Sequence, residues 1–191
     1  MATVPPVTLD ELKAHLNMVA APSEDDAELA VTLAAATEAC EGEVGPILHR
    51  TVRERITVTG CALIVSHPPV VSVEELRDLH GTTYDTSDLD VDRSGLIRDI
   101  TRDLRPGRYD VTYTAGMAAT ADDVPAAVKL AVMIVAGHMW ETQRGRQART
   151  GFIPGEGITP TDQAALIMSG FSLPRRALEL MRPYRLAPAV L

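Results

Sequence analysis

Aromatic residues are scarce in this chain: one tryptophan, four tyrosines and two phenylalanines in 191 residues. The interior must therefore be built from Ala, Val, Leu and Ile, and helices carrying such small side chains pack closely. Lysine is almost absent, with Lys13 and Lys129 set against sixteen arginines. Cys40 and Cys61 are too few for a disulfide framework and lack CxxC spacing, which also excludes a paired-cysteine metal site. No run of about 20 apolar residues is present, nor a segment with a basic start and an apolar middle. The chain is therefore expected to be soluble and made in the cytoplasm. The net charge of -8 argues against a protein that wraps nucleic acid with basic side chains, though not against a channel for it.

What the chain does contain is concentrated between Arg108 and Gly145. Tyr109, Val111 and Tyr113 alternate with Asp110, Thr112 and Thr114, the period of a half-buried strand, and Gly116 frees the backbone to turn. Pro125 then opens a helix, preceded by Asp122 and Asp123 where the helix dipole favours negative charge. Val128, Val132, Val135 and Met139 form one helical stripe, widened by Leu130, Ala131 and Ile134 and extended by Trp140. A helix this apolar has to be covered on several sides, by its own domain or by a neighbouring subunit.

The organisation along the chain is helices, then strands, then helices. Thr8 with Glu11 is a capping-box pattern ahead of Leu9, Leu12 and Leu16, which predicts a helix over 8–17. Ser23 with Asp26 repeats the signal, and Leu29, Leu33, Ala36 and Cys40 predict a second helix over 24–42 with Glu38 and Glu41 outward, ended by Gly45 and Pro46. From residue 50 to 114 the period becomes two. Arg53, Arg55, Thr57 and Thr59 alternate with Val52, Glu54, Ile56 and Val58, and the run Ala62 to Val65 stops at His67-Pro68-Pro69. Val71 and Val73 start another strand, and His80-Gly81 and Ser94-Gly95 mark turns. A third helix is predicted over 125–143. The expected fold is α+β, mainly α: a helical bundle around a long central helix, with a small inserted antiparallel sheet and a helical C-terminal arm. Residues 1–145 would form the core. Residues 146–191 would supply a loop around GFIPGEG, two short helices at Thr161 to Ser169 and Pro174 to Met181, and a tail.

Charge is unevenly placed. Asp10 to Glu43 carries nine carboxylates against Lys13, whereas Glu141 to Leu191 carries seven arginines against four acids. Opposite signs at opposite ends suit head-to-tail docking, and they equally describe solvated helix faces.

Catalytic chemistry is hard to find. His15, His49, His67, His80 and His138 show no HxxxH, HExxH or Cys/His pairing. Ser66 and His67, read as neighbours in a strand, would point to opposite faces, and no GxSxG elbow accompanies them. The segment Gly151 to Gly157 lacks the Lys-Ser/Thr pair of a phosphate-binding loop. Asp85, Asp88, Asp90 and Asp92 alternate, but without the glycine and final glutamate of an EF-hand loop. No catalytic, cofactor or metal residue is assigned.

The order of features does carry a resemblance. TLDELKAHL, ACEGEVG, LIVSHPPVVSVEELRD, DLDVDRSGLI, YDVTYTAGM and VPAAVKLAVMIVAGHMWE, with a C-terminal LPRRALELMRPYR, succeed one another as in the gp6-like head-tail connector (adaptor) family of tailed bacteriophages and prophages. The chain resembles that family over roughly Val7 to Gln143. The resemblance implies a structural, non-enzymatic protein of the virion neck, working without a cofactor. Its copies would form a dodecameric ring beneath the portal protein that extends the DNA channel and offers a platform to a stopper or tail-completion protein. DNA would pass without sequence-specific binding, no membrane would be involved, and acidic residues would outnumber basic ones along the bore. By the same resemblance the C-terminal segment would dock the portal through Arg175, Arg176, Arg182, Tyr184, Arg185 and Leu186, unless Leu173 to Tyr184 packs only on its own subunit. Val128, Val132, Val135, Met139 and Trp140 would be core or ring interface. The alternatives are another neck or tail-completion protein of the same fold and, more distantly, a metal-dependent hydrolase.

Overall fold

Thr8 begins the first helix as a capping box: its hydroxyl accepts the Glu11 N–H at 3.2 Å while the Glu11 carboxylate accepts the Thr8 N–H at 2.6 Å. Helix α1 (Leu9–His15) then turns at Leu16, and Asn17 takes a left-handed φ of 56°, which asparagine tolerates. The computed structural model describes residues 3–18, 22–101, 104–143 and 173–187. They fall into two units, one of Met1–Cys40 with Ala126–Pro183 and one of Glu41–Pro125 with Tyr184–Leu191. The GFIPGEG loop and the helix expected at Thr161 to Ser169 lie outside the described residues.

The first unit is helical. It holds α1, most of α2 (Asp26–Val44), α3 (Ala126–Gln143) and α4 (Arg175–Met181). Within α2, Leu29, Leu33, Ala36 and Cys40 are buried at helical spacing. Thr32 and Thr37 share that face, and each satisfies its hydroxyl by donating to the carbonyl four residues back, at 2.9 and 2.8 Å. α1 and α4 both pack on α3. A Cβ on Gly137 would stand 3.2 Å from Leu16 Cδ2, so the glycine lets α1 approach closely.

The second unit is built from two antiparallel sheets. The larger has the order β1-β7-β3-β4, with β1 Arg50–Val58, β3 Val70–Asp78, β4 Thr83–Tyr84 and β7 Gly107–Ala115. The smaller has the order β2-β6-β5, with β2 Leu63–Ile64, β5 Leu89–Val91 and β6 Leu96–Asp99. The alternation in β1 and β7 matches the burial: Tyr109, Val111 and Tyr113 are buried, while Thr51, Arg53, Arg55 and Thr57 are exposed. Val58, Leu63, Leu76, Ile97, Leu104, Val111 and Tyr113 belong to one buried cluster. Two register shifts in the β3-β7 ladder, after Val70 and after Val73, leave Val71 49% exposed beside buried Val70. His80-Gly81 and Ser94-Gly95 make the expected turns, with φ of +86° at Gly81 and +93° at Gly95. The fold is thus α+β, with more β structure than one small inserted sheet.

One junction is especially constrained. Gly45 ends α2 at φ +80°, and a Cβ there would fall 1.8 Å from the Pro68 carbonyl oxygen. Only glycine meets both conditions.

Candidate assembly surfaces

The apolar stripe of α3 is covered within one chain. Val128 and Val132 are fully buried, Val135 nearly so, and Met139 and Trp140 keep under a tenth of their surface. Their side chains are thus already spent on subunit packing, and a contact with another molecule has to use other surfaces.

The C-terminal residues divide. Ala177 and Met181 turn inward and are fully buried, which fixes α4 on α3. Arg175, Arg176 and Arg182 are exposed, with Arg175 donating from Nε to Glu179 at 3.1 Å along the helix. Such an exposed pair contributes little to stability. Arg185 instead binds the Glu43 carboxylate at the end of α2, and Tyr184 and Leu186 are half-buried. All four arginines are exposed, and Arg185 is the one paired with a carboxylate of another element.

Three charged groups make internal contacts that the sequence reading did not foresee. Lys13 is 1% exposed, and its ammonium lies 2.7 and 2.8 Å from the two Asp26 carboxylate oxygens, tying α1 to the start of α2. The Lys13 hydrogen bond, then that from Ser23, holds the Asp26 carboxyl below the usual range. Glu41, expected to face outward, is turned in, with its side chain 8% exposed. One oxygen accepts the Ile47 N–H at 2.9 Å and the other accepts from Arg50 at 2.8 Å. The end of α2 before Gly45-Pro46 hid this contact, because helical periodicity stops being a guide where the helix ends. Glu54 is the third: the same oxygen accepts the Tyr113 hydroxyl at 2.8 Å and the Ser66 N–H at 2.9 Å. Burial first, then Glu54, pushes the Tyr113 hydroxyl well above its ordinary value. Ser66 and His67 lie in the turn after β2 rather than in a strand.

Aspartates of the sheet unit are turn-formers. Asp78 accepts the His80 and Thr82 N–H groups, Asp85 that of Ser87, and Asp99 that of Thr101, all within 3.0 Å. The Ser87 N–H and hydroxyl lower the Asp85 carboxyl, while at Asp92 the Ser94 hydroxyl leads. No group of three or more His, Cys, Asp or Glu among the described residues is arranged to hold a metal ion. A cleft of about 330 Å³ in the helical unit brings His15, His138 and Glu141 to one mouth, with Leu16, Asn17, Ile134, Gly137 and Pro174 completing its lining among the described residues. No helix among the described residues is long and apolar enough to cross a membrane.

The head completion protein family matches residues 7–187. The chain belongs to that family. Membership makes it a structural head-tail connector, as the sequence resemblance implied, and points away from an enzyme. Among solved structures this head completion protein is similar to a chain in the neck of an empty gene transfer agent (GTA) particle computed with C6 symmetry. The TM-score is 0.65 at 21% identity, covering 100% of this chain and 95% of that one. A chain in the neck of a native GTA particle computed with C12 symmetry gives 0.62 at 21%, with 100% and 95% covered. One in the virion of a native GTA particle gives 0.63 at 20%, with 98% and 94% covered. At such identities the likeness is one of fold. No curated protein matches the chain.

Proposed function

We propose that this head completion protein is an adaptor of the virion neck. Its copies form a dodecameric ring under the portal protein, extend the DNA channel and give a stopper or tail-completion protein a surface to dock on. The observation that carries this reading is the family match over 7–187, joined by nearly full-length fold similarity to chains in GTA necks. The C6 and C12 symmetry of those necks supports a ring. Residues 1–145 act as the connector core and residues 146–191 as the arm.

Portal docking is assigned to the outer face of that arm. Arg175, Arg176 and Arg182 are exposed on and just after α4, while Ala177 and Met181 hold the helix in place. Arginines on a rigid support are suited to pairing with carboxylates across an interface. Tyr184 and Leu186 keep partial exposure to add apolar contact. Arg185, bound to Glu43, contributes only by exchanging that partner.

Light-scattering mass during gel filtration, on the full chain alone and mixed with its portal, tests the reading. A ring, or a monomer that becomes stoichiometric with the portal, is expected; a monomer indifferent to the portal overturns it. Reversing Arg175, Arg176 and Arg182 to glutamate should abolish portal binding in a folded protein. Unchanged binding moves the docking surface elsewhere.

A further inference from the structure

The two sheets of the second unit end in edges of opposite charge that face opposite ways. β1 pairs with β7 alone and β5 with β6 alone, so among the described residues each keeps an outer row of backbone groups that no strand pairs. β2 lies against β1, and β5 lies against β3. The sheet orders β1-β7-β3-β4 and β2-β6-β5 therefore run the same way across the unit, and β1 and β5 stand on opposite flanks. On β1, Arg53 and Arg55 are exposed: Arg55 is matched by Asp110 of β7 at 2.6 and 2.9 Å, whereas Arg53 donates to the neutral Thr112 hydroxyl at 3.3 Å and so supplies the positive charge of this edge. On β5, Asp90 is exposed, with exposed Asp85 and Asp92 in the turns on either side, Asp88 half-buried and exposed Arg93 next to Asp92. Arg98 lies opposite Asp90 in the β6 register.

We propose that the β1 edge of one copy docks on the β5 edge of the next, so that copies of this chain join head to tail. The inference rests on the ring reading and names its joint. A symmetric alternative, β1 against β1 in antiparallel, would set arginines beside arginines and is disfavoured. The β1-to-β5 joint uses two different surfaces, and repetition of such a contact generates a closed ring when the rotation closes. β5 is only three residues long, so the shared ladder is short and the charges decide the register.

The test compares the full chain with Arg53→Glu, Asp90→Lys and the double variant, by light-scattering mass across concentration, with and without portal. Circular dichroism melting establishes that each variant is folded. Each single reversal should raise the concentration for half-assembly by about tenfold or more, and the double variant, which restores opposite charges at every joint, should recover most of it. Wild-type rings that both single variants also form at unchanged concentration remove this joint and leave the ring standing. Loss in both singles without recovery in the double also overturns it, since the two residues then act in separate contacts. A wild-type chain that never exceeds one copy, alone or on the portal, removes the ring reading and the joint with it.

Discussion

Among single residues, one glycine and two buried charge contacts each make a specific stability prediction. Gly45→Ala meets both a positive φ and a backbone oxygen, so it should destabilise by about 3 kcal/mol, read as a lower denaturation midpoint with an unchanged slope. Glu41→Ala strips the Ile47 N–H of its acceptor and Arg50 of its counter-charge, which should cost about 2 kcal/mol; a loss near zero would show that solvent replaces the carboxylate. The Lys13–Asp26 pair makes an asymmetric prediction. Lys13 is buried while the Asp26 side chain is 27% exposed, so Lys13→Met leaves a carboxylate that water can reach. Asp26→Asn leaves a buried ammonium with a weaker acceptor. Asp26→Asn should therefore lower the melting midpoint more than Lys13→Met, and the opposite ranking would refute the argument. Because the folded Asp26 carboxyl lies below its ordinary value of 3.8, its contribution is present above that pH and is lost as pH falls below it. The gap between wild type and Asp26→Asn should close in acid.

Helices and strands show how differently the two kinds of element were written in the chain. α1, α2 and α3 were legible because a capping box and a 3.6-residue stripe are local signals, and observed limits fall within two residues of those expected. β1 and β7 were legible from strict alternation. The two-sheet division was not, because β2, β4 and β5 span two or three residues and acquire an identity only from the partners they pair with. For the same reason neither edge was visible as a docking surface. The core of the sheet unit yields a prediction of its own. Tyr109 is 2% exposed, and its hydroxyl donates to the Arg105 carbonyl at 2.9 Å, with the Tyr84 hydroxyl 3.4 Å away and the two rings edge-on at 5.7 Å. Burial, then Tyr84, pushes the Tyr109 hydroxyl up to about 12 from 10. A raised folded value means that the neutral form is the one folding favours, so its contribution is complete below pH 10 and lost between about pH 10 and 12. Stability should fall over that window, with phenolate absorbance rising as the sheets open, and Tyr109→Phe should flatten the fall. A curve with the same slope in the variant would locate the alkaline transition elsewhere.

For the whole molecule, charge decides what the ring can do with DNA. A channel that binds phosphate would stall its cargo, and every basic side chain facing the bore would add counterion release and a steep salt dependence. The chain carries 18 basic against 26 acidic side chains, and several of its arginines are already matched: Arg50 to Glu41, Arg55 to Asp110, Arg77 to Glu75 and Arg185 to Glu43. The arginines left exposed on and after α4 are assigned to the portal. An assembled ring should therefore show a bore in which carboxylates outnumber guanidinium groups. Duplex DNA should bind it weakly at low salt, with an apparent affinity that changes by less than about tenfold between 50 and 200 mM salt, where a protein making several phosphate contacts would lose about a thousandfold. Fluorescence anisotropy with a short labelled duplex, on the ring rather than the free chain, makes the comparison. Steep salt dependence would mean an arginine-lined bore, and the channel would then grip DNA instead of letting it slide.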